Sequence, residues 1–533
     1  MKMSGFLLRC TIVAALGGFL FGFDTIVISG AEKSFQNLWQ LGGFAHGVAM
    51  SMALWGTVVG AVFGGYPTAR FGRKKTLVTI GVLYFVSAIF SGIAPNVLVF
   101  MIARFIGGLG VGGSTVAAPM FISEISPPDN RGKLSGMFQF NIVFGILIAF
   151  LSNYLIDKYV AAPVAWRWMM GIEAIPAFLY TVLSFTLPES PRWLITHAKE
   201  PGKGADVFKK IYTESSNEEI ESLVNEVKET VADEKKTARF WTMRLKIPIL
   251  LAFLIALFNQ FSGINIILYF APRLLGLAGM ENAFAASAAL GVTNLIFTFV
   301  GLWLIDKLGR RSLLYIGSFG YILSLGICAL VFMITPVFKT FSAAENMISS
   351  AQNVQAVTNQ TRYFSERDKE KVAEDYVISR KAIEEATTIE DYQGDPVVIP
   401  ENADTDTIIQ IATTVKEQAS EDLGSRSIIV LICLLAFIAA HAVGQGTVIW
   451  VFIAEIFPND HRAAGQALGS STHWLCAAGL TFLFPIAIGY FEPGILFAFF
   501  CFMMVLQLIW VKTMVPETKG IPLEQIQKEL GIE

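Results

Sequence analysis

Residues 65–75 read GYPTARFGRKK, and residues 301–311 read GLWLIDKLGRR. Both strings open on glycine, follow an apolar run and close on a basic cluster, FGRKK or LGRR, at an offset of 236 positions. Two more pairs recur in the same order. EISPPDNR at 124–131 answers EIFPNDHR at 455–462, with Glu and Arg seven apart in each and an offset of 331. PES at 188–190 answers PET at 516–518, at an offset of 328. A chain that repeats three motifs in order consists of two like units. The offset grows by 95 between the first and second pairs. The second unit therefore carries an insertion of about 90 residues, and the polar stretch 335–426 is where it fits.

The apolar runs around these motifs decide the class. Apolar residues make up 54% of the 533, charged residues 16%, and the mean hydropathy is +0.56. A soluble domain carries about 25% charge. Crossing a bilayer takes about 20 mostly apolar residues. Twelve stretches qualify: 8–30, 44–66, 76–94, 98–122, 136–157, 169–187, 247–271, 284–305, 312–334, 427–453, 466–490 and 493–514. The first is too long for a signal-peptide core and contains Asp24, so it is read as a membrane helix. The chain is expected to be an all-α membrane protein, with twelve transmembrane helices in two parallel six-helix repeats, an arrangement known among transporters.

Short loops set the orientation through Lys and Arg. One side holds Arg70, Arg73, Lys74, Lys75, Arg131, Lys133, Lys307, Arg310, Arg311 and Arg462; the other holds Lys33, Lys158, Arg167 and Arg273. The richer side is assigned to the cytoplasm, and an even number of spans then puts both termini there. The expected parts are a first bundle over 1–187, a cytoplasmic linker with short helices over 188–246, a second bundle over 247–514 and a tail over 515–533. The 335–426 insertion interrupts the second bundle outside the cytoplasm. It has 8 Lys+Arg against 17 Asp+Glu between Pro336 and Ser425, and it is expected to be dispensable for the protein's cycle.

Several chemistries are excluded. The net charge is −3 and there is no basic stripe for nucleic acid. Cys10, Cys328, Cys433, Cys476 and Cys501 are far apart in apolar surroundings, which suits packing rather than disulfides or zinc. No metal-ligand cluster or nucleophile–base motif stands out, so neither a cofactor nor an enzyme is expected. Gly108, Gly110 and Gly113 match a dinucleotide fingerprint only formally, because no strand precedes them. Gly56, Gly60 and Gly64, like Gly18 and Gly22, share a helix face and allow close helix approach.

The strings GGFLFGFDTIVISG (17–30), FGRKK, PESPRWL (188–194), NQFSGIN (259–265), DKLGRR (306–311), AEIFPNDHR (454–462) and PETKG (516–520) resemble those of the major facilitator superfamily and, within it, the sugar porter family. The likeness covers nearly the whole chain outside the insertion and is greatest to bacterial proton-coupled pentose and hexose symporters. It implies the major facilitator fold and a monomer in the bacterial inner membrane. The implied function is import of a monosaccharide with a proton by alternating access. A facilitative uniporter and a non-transporting sugar sensor are the alternatives; only about 19 residues follow the last span, which disfavours the sensor.

Polar side chains inside spans are costly and face cavities or partners. The seventh stretch holds Asn259, Gln260, Ser262, Asn265 and Tyr269; Gln139, Asn294, Trp450 and Trp474 lie on the fifth, eighth, tenth and eleventh. Amides offer sugar hydroxyls both donors and acceptors, and an aromatic face covers the ring's C–H side. Each amide could equally make an interhelical hydrogen bond. The resemblance puts Gln139, Gln260, Asn265, Asn294 and Trp450 at sugar-contact positions. It departs at His473, where Gln or Asn is usual, at His441, where an aromatic is usual, and at Asn259 and Thr447, which replace Gln and Pro. The two histidines are candidates for the site or for structural roles.

Asp24 lies inside the first span and Arg104 inside the fourth. Pairing them relieves two charges costing about 2.5–3.5 kcal/mol each near mid-membrane. The resemblance makes the pair the proton-coupling site; a static ion pair is the other reading. On the basic side, Arg73 and Arg310 could reach Glu124 and Glu455. With Arg131 and Arg462, these resemble the family's gating latch. Ala69 stands where the family has an acid, whereas Asp306 keeps it, so the first latch is expected to be the weaker.

Overall fold

A computed structural model describes residues 4–213, 215–233, 240–359, 365–400 and 402–532. Among these the regular structure is entirely helical. A first set comprises α1 (Gly5–Leu38), α2 (Gly43–Phe63), α3 (Gly65–Phe71), α4 (Arg73–Gly92), α5 (Val97–Ile125), α6 (Arg131–Tyr159), α7 (Ala162–Gly171) and α8 (Ala174–Ser184). Three connector helices follow: α9 (Pro191–Thr196), α10 (Pro201–Ile211) and α11 (Asn217–Asp233). The second set opens with α12 (Lys246–Phe261), α13 (Ile264–Tyr269), α14 (Ala271–Leu277), α15 (Ala283–Leu308) and α16 (Arg310–Ile334). The insertion forms α17 (Val337–Thr358), α18 (Glu366–Ala386) and α19 (Thr405–Leu423). The set resumes with α20 (Ser425–Val443), α21 (Gln445–Ile456), α22 (Arg462–Tyr490) and α23 (Pro493–Met514), and α24 (Leu523–Glu529) follows.

Among the described residues, eleven helical segments are long and apolar enough to cross a membrane. The stretch 169–187 departs from the uniform spans the sequence suggests. It is divided between α7 and α8, around Ile172 and Glu173. Pro176 has no N–H to offer the Ile172 carbonyl, which takes a tighter bond from Ile175 N at 3.2 Å. Two other stretches cross as broken helices. Gly263, at φ +88°, separates α12 from α13, and a side chain there would also meet the Phe500 ring. Gly444 separates α20 from α21, where Thr447 Oγ1 donates to Ala442 O at 2.6 Å. The three breaks fall beside polar or charged residues, Glu173, Ser262 and Gln445.

Glycines set the helix spacing. At Gly56 and Gly60 of α2, an added Cβ would lie 2.2 and 2.5 Å from carbonyl oxygens of α5; at Gly108 and Gly112 of α5 it would meet α2 carbonyls at 1.9 and 2.3 Å. The glycines of the formal dinucleotide fingerprint thus include a helix-crossing residue. Within the first set α1 packs on α6, and α4 on α5 and α8; within the second α12 packs on α22, and α16 on α20 and α23. The sets meet through α2 with α22, α6 with α15 and α1 with α13.

The ion pairs and hydrogen bonds joining the sets, among the described residues, cluster at the end that carries the insertion. Glu32 pairs with Arg273 there, and Gly43 and Gly47 bring α2 against the backbone of Pro485 and Phe482. The insertion helices bridge both sets. Glu345 on α17 pairs with Lys33 of α1, Asn37 donates to Ser349 at 3.1 Å, and Lys371 Nζ donates to Gln40 O at 2.5 Å. On the other side Lys339 pairs with Glu492 at 2.8 Å. α19 buries Ile408, Ala412, Val415, Ala419 and Leu423, one face at helical spacing, and packs on α17. Burial raises the Glu345 carboxyl, but Lys33 and Lys416 more than offset this and hold it at about 2.

Candidate functional site

Asp24 and Arg104 are both buried and face each other from α1 and α5. Arg104 Nη1 donates to Asp24 Oδ1 at 2.6 Å; Nη2 donates to Oδ2 at 3.3 Å and to the Asp24 carbonyl at 2.9 Å. Gly107, one turn beyond Arg104, makes room: a Cβ there would lie 3.3 Å from Asp24 Oδ1 and 2.4 Å from Ser87 Oγ. A third ionisable residue joins them. Glu173, at the α7–α8 break, is 1% exposed, interacts electrostatically with both, and among the described residues has no well-formed hydrogen bond at either carboxylate oxygen. Two buried carboxylates therefore lie near one guanidinium and, among the described residues, only Asp24 is bonded to it. Buried charges in a membrane span are costly and mark functional sites, so the group is a candidate for proton handling. The sequence reading missed Glu173, although a carboxylate inside the apolar stretch 169–187 is the same signal that marked Asp24.

Beside this cluster the broken seventh span presents its amides. Gln260 is the hub: its Nε2 donates to Asn259 Oδ1 at 3.0 Å and lies 3.1 Å from both ring nitrogens of His473, while its Oε1 accepts from Asn265 Nδ2 at 2.8 Å. The His473 ring lies 5.4 Å from Trp450 and 4.8 Å from Trp474 (centroid distances), and Trp474 meets Phe21 of the first set at 5.6 Å. Amides, an imidazole and three aromatic rings thus converge between the sets. Tyr269 is buried on α13, four residues after Asn265, and is within electrostatic reach of Asp24 and Arg104. It shares its helix with Asn265 of the amide cluster.

The remaining candidates separate. Asn294 is buried on α15 and Gln139 is half-buried on α6, and among the described residues neither hydrogen-bonds to the cluster. His441 is turned to Tyr321, its Nδ1 2.8 Å from the hydroxyl. It is within electrostatic reach of His473 and, among the described residues, makes no hydrogen bond to the Gln260 network.

At the opposite end from the insertion, the repeated motifs build the same device twice. Arg73 binds Glu124 through Nε at 2.9 Å and Nη2 at 2.6 Å; Arg310 binds Glu455 at 3.0 and 2.7 Å. Each pair joins helices of one set. Arg73 Nη1 adds the Thr68 carbonyl, and Arg310 Nη1 adds the Ile305 carbonyl and Asp306 at 3.4 Å; Ala69 offers no such side chain. The PES and PET motifs supply a part that the spacing did not reveal. Glu189 accepts from Arg73 N at 2.7 Å and Lys74 N at 3.2 Å, and Glu517 accepts from Arg310 N at 2.9 Å and Arg311 N at 3.0 Å. Each carboxylate caps a helix that starts after a glycine in the left-handed half of backbone space, Gly72 at φ +94° or Gly309 at φ +90°. Arg131 is exposed, and the Nε of Arg462 is buried without a hydrogen-bond partner among the described residues.

The chain matches the family described as "Sugar (and other) transporter" over residues 10–355 and 407–530. It is 28% identical to the arabinose-proton symporter of Bacillus subtilis over 531 residues, covering 98% of this chain and 95% of that one. It is 28% identical to the D-xylose-proton symporter of Escherichia coli over 562 residues, with 98% and 96% covered. To the glucose transport protein of Synechocystis it is 30% identical over 538 residues, with 98% and 97% covered. Among solved structures it is similar to the inward open conformation of the xylose transporter XylE from E. coli, at a TM-score of 0.70, 27% identity and coverage of 98% and 99%. The proton:xylose symporter XylE bound to 6-bromo-6-deoxy-D-glucose scores 0.66, at 28% identity and coverage of 99% and 100%.

Proposed function

The chain belongs to the sugar (and other) transporter family, a family of multi-pass membrane transporters rather than enzymes, and from that membership we propose that it imports a monosaccharide together with a proton by alternating access. The observation that carries this is the adjacency of two clusters. The Gln260 network offers the donors and acceptors a sugar needs, and the Asp24–Arg104–Glu173 group offers a place to hold a proton. Tyr269, on the same broken helix as the amides, is within electrostatic reach of Asp24 and Arg104. Sugar entry that shifts α13 would change the surroundings of Asp24, and protonation of Asp24 would loosen its grip on Arg104. The relatives named as arabinose- and xylose-proton symporters support this reading.

In this reading residues 1–187 and 247–514 are the two moving bundles, 188–246 is the cytoplasmic linker, and the insertion lies outside. Both termini are cytoplasmic, the protein is a monomer, and a bacterial inner membrane is its place. The conformation faces inward, because the polar contacts between the sets close the insertion end. Gln139, Asn294 and His441 complete the walls of the sugar cavity. Arg73–Glu124 and Arg310–Glu455, each made within one set while the cytoplasmic end is open, are with Arg131 and Arg462 the gating residues of that face, and its closure needs further contacts between the sets.

Purified protein in proteoliposomes tests the proposal with a panel of labelled pentoses and hexoses. A symporter accumulates one of them against its gradient and alkalinises the weakly buffered outside. Equilibration without proton movement would establish the uniporter, with Asp24 as a static partner of Arg104.

A further inference from the structure

A second buried group of ionisable residues lies where the two sets meet at the insertion end. Glu32 on α1 and His46 on α2 are 1% and 0% exposed, and both belong to the first set. His46 Nε2 lies 3.1 Å from Glu32 Oε1. Arg273 reaches the same carboxylate from α14 of the second set, Nη2 to Oε1 at 2.9 Å and Nε to Oε2 at 3.1 Å, and its Nη2 also donates to Gln36 Oε1. Rings seal the group: His46 packs edge-on to Phe35 at 5.6 Å and to Phe270 at 6.5 Å, Phe100 of α5 backs Phe35, and Phe484 of α22 backs Phe270. The other charges around it are Lys33 on α1 with Glu345 on α17, Lys416 on α19, and Lys371 of α18 at the Gln40 carbonyl.

Glu32 and His46 move together, because both lie in the first set; Arg273 leaves with the second when that end opens. In the closed form Arg273 neutralises Glu32, and a charged His46 would leave an excess buried cation. In the open form Arg273 is gone. The Glu32–His46 pair then balances its charge only by holding one proton more, as a carboxylate beside an imidazolium. We propose that His46 is a positioning residue of the outer gate, exchanging with Arg273 as the partner of Glu32, so that opening of the insertion end takes up one proton. This rests on the alternating-access reading given above. Mildly acid surroundings then favour the open, loading-competent form. The proton adds to the Glu32–His46 pair from the outer medium and returns there on closing, so this step moves no net charge across the membrane.

The test follows the opening itself. Spin labels at Tyr159→Cys and Tyr490→Cys, one in each set, report the distance across the insertion end in protein with Cys476 and Cys501 replaced by Ser. An Asp24→Asn background removes the main proton site. In that background the open-to-closed ratio is expected to rise as pH falls from about 8 to about 5, by up to about tenfold per pH unit over the range in which one proton is bound. His46→Gln should flatten this dependence. His46→Lys, a permanent cation, should raise the open fraction at every pH. An undiminished pH dependence in His46→Gln, no pH dependence in the Asp24→Asn parent, or an unchanged open fraction in His46→Lys would each overturn the proposal. A single distance under every condition, with and without sugar, would instead overturn alternating access, and this proposal with it.

Discussion

Arg104 holds Asp24 at both ends: Nη1 binds the side-chain oxygen at 2.6 Å, and Nη2 binds the backbone carbonyl of the same residue at 2.9 Å. The carbonyl contact ties the guanidinium to α1 itself, so neutralising the carboxylate weakens the contact without freeing Arg104. Asp24→Asn should therefore keep the fold and keep sugar binding and exchange, while uphill accumulation is lost. A potential of 100 mV supplies about 2.3 kcal/mol per charge, roughly a fortyfold accumulation at about 1.4 kcal/mol per factor of ten. Protonophore-sensitive accumulation at the unaltered level in Asp24→Asn would remove Asp24 as the proton carrier.

Gln260 bonds Asn259 and Asn265 and sits against His473, so its loss removes a partner from each, the buried Asn259 included. Gln260→Ala is expected to weaken sugar binding by about tenfold or more, since each neutral hydrogen bond is worth about 0.5–1.5 kcal/mol and an orphaned partner adds to the loss. Calorimetry on the purified protein reads this directly; unaltered affinity would place the sugar elsewhere.

Glu189 and Glu517 cap equivalent helices in the two sets with nearly the same geometry. Hydrogen bonds to a charged acceptor contribute about 1.5–3 kcal/mol. Glu189→Ala and Glu517→Ala should each lower the melting temperature in detergent, and by similar amounts. A fall in one variant only would show that the repeated motif does not play the same role twice.

The insertion ties the sets together through Lys33 and Glu345. Glu345 is held at about 2, below its ordinary 4.5, so the tie is intact above the ordinary value and weakens only as pH falls towards about 2. Glu345→Gln removes it at neutral pH. A partly exposed pair is worth up to about 1 kcal/mol, so the open-to-closed ratio at the insertion end should rise by no more than about fivefold while transport persists. Spin-label distances and uptake assays check both halves of this statement. Complete loss of uptake would mean that the insertion takes part in the cycle instead of only biasing it.

Much of this architecture was legible beforehand. The apolar runs marked the spans, because hydrocarbon admits only segments that satisfy their own backbone. The uniform length expected for 169–187 was not what formed, since Pro176 deprives Ile172 of its helical partner and the chain turns at Glu173. Asp24 and Arg104 were visible as a pair because each is too costly alone. Glu173 carried the same signal, masked by its place near the start of a stretch. His441 was marked by position alone, and only the packing shows that its ring also meets the Tyr321 hydroxyl.

What the sequence by itself determined is set by periodicity and by cost. The repeat of three motifs, the count of apolar runs and the rarity of charges within them are local properties, and they suffice for an all-helical membrane protein of two like units. Tertiary structure alone decided which distant groups meet. Glu32 and Arg273 are 241 residues apart and Gln260 and His473 are 213 apart, and no spacing rule relates them. Their contact depends on how α1 meets α13 and α14, and α12 meets α22. That packing is set by glycines and interrupted helices acting together across the membrane, so the pairing of charges is a property of the assembled bundle and not of any one segment.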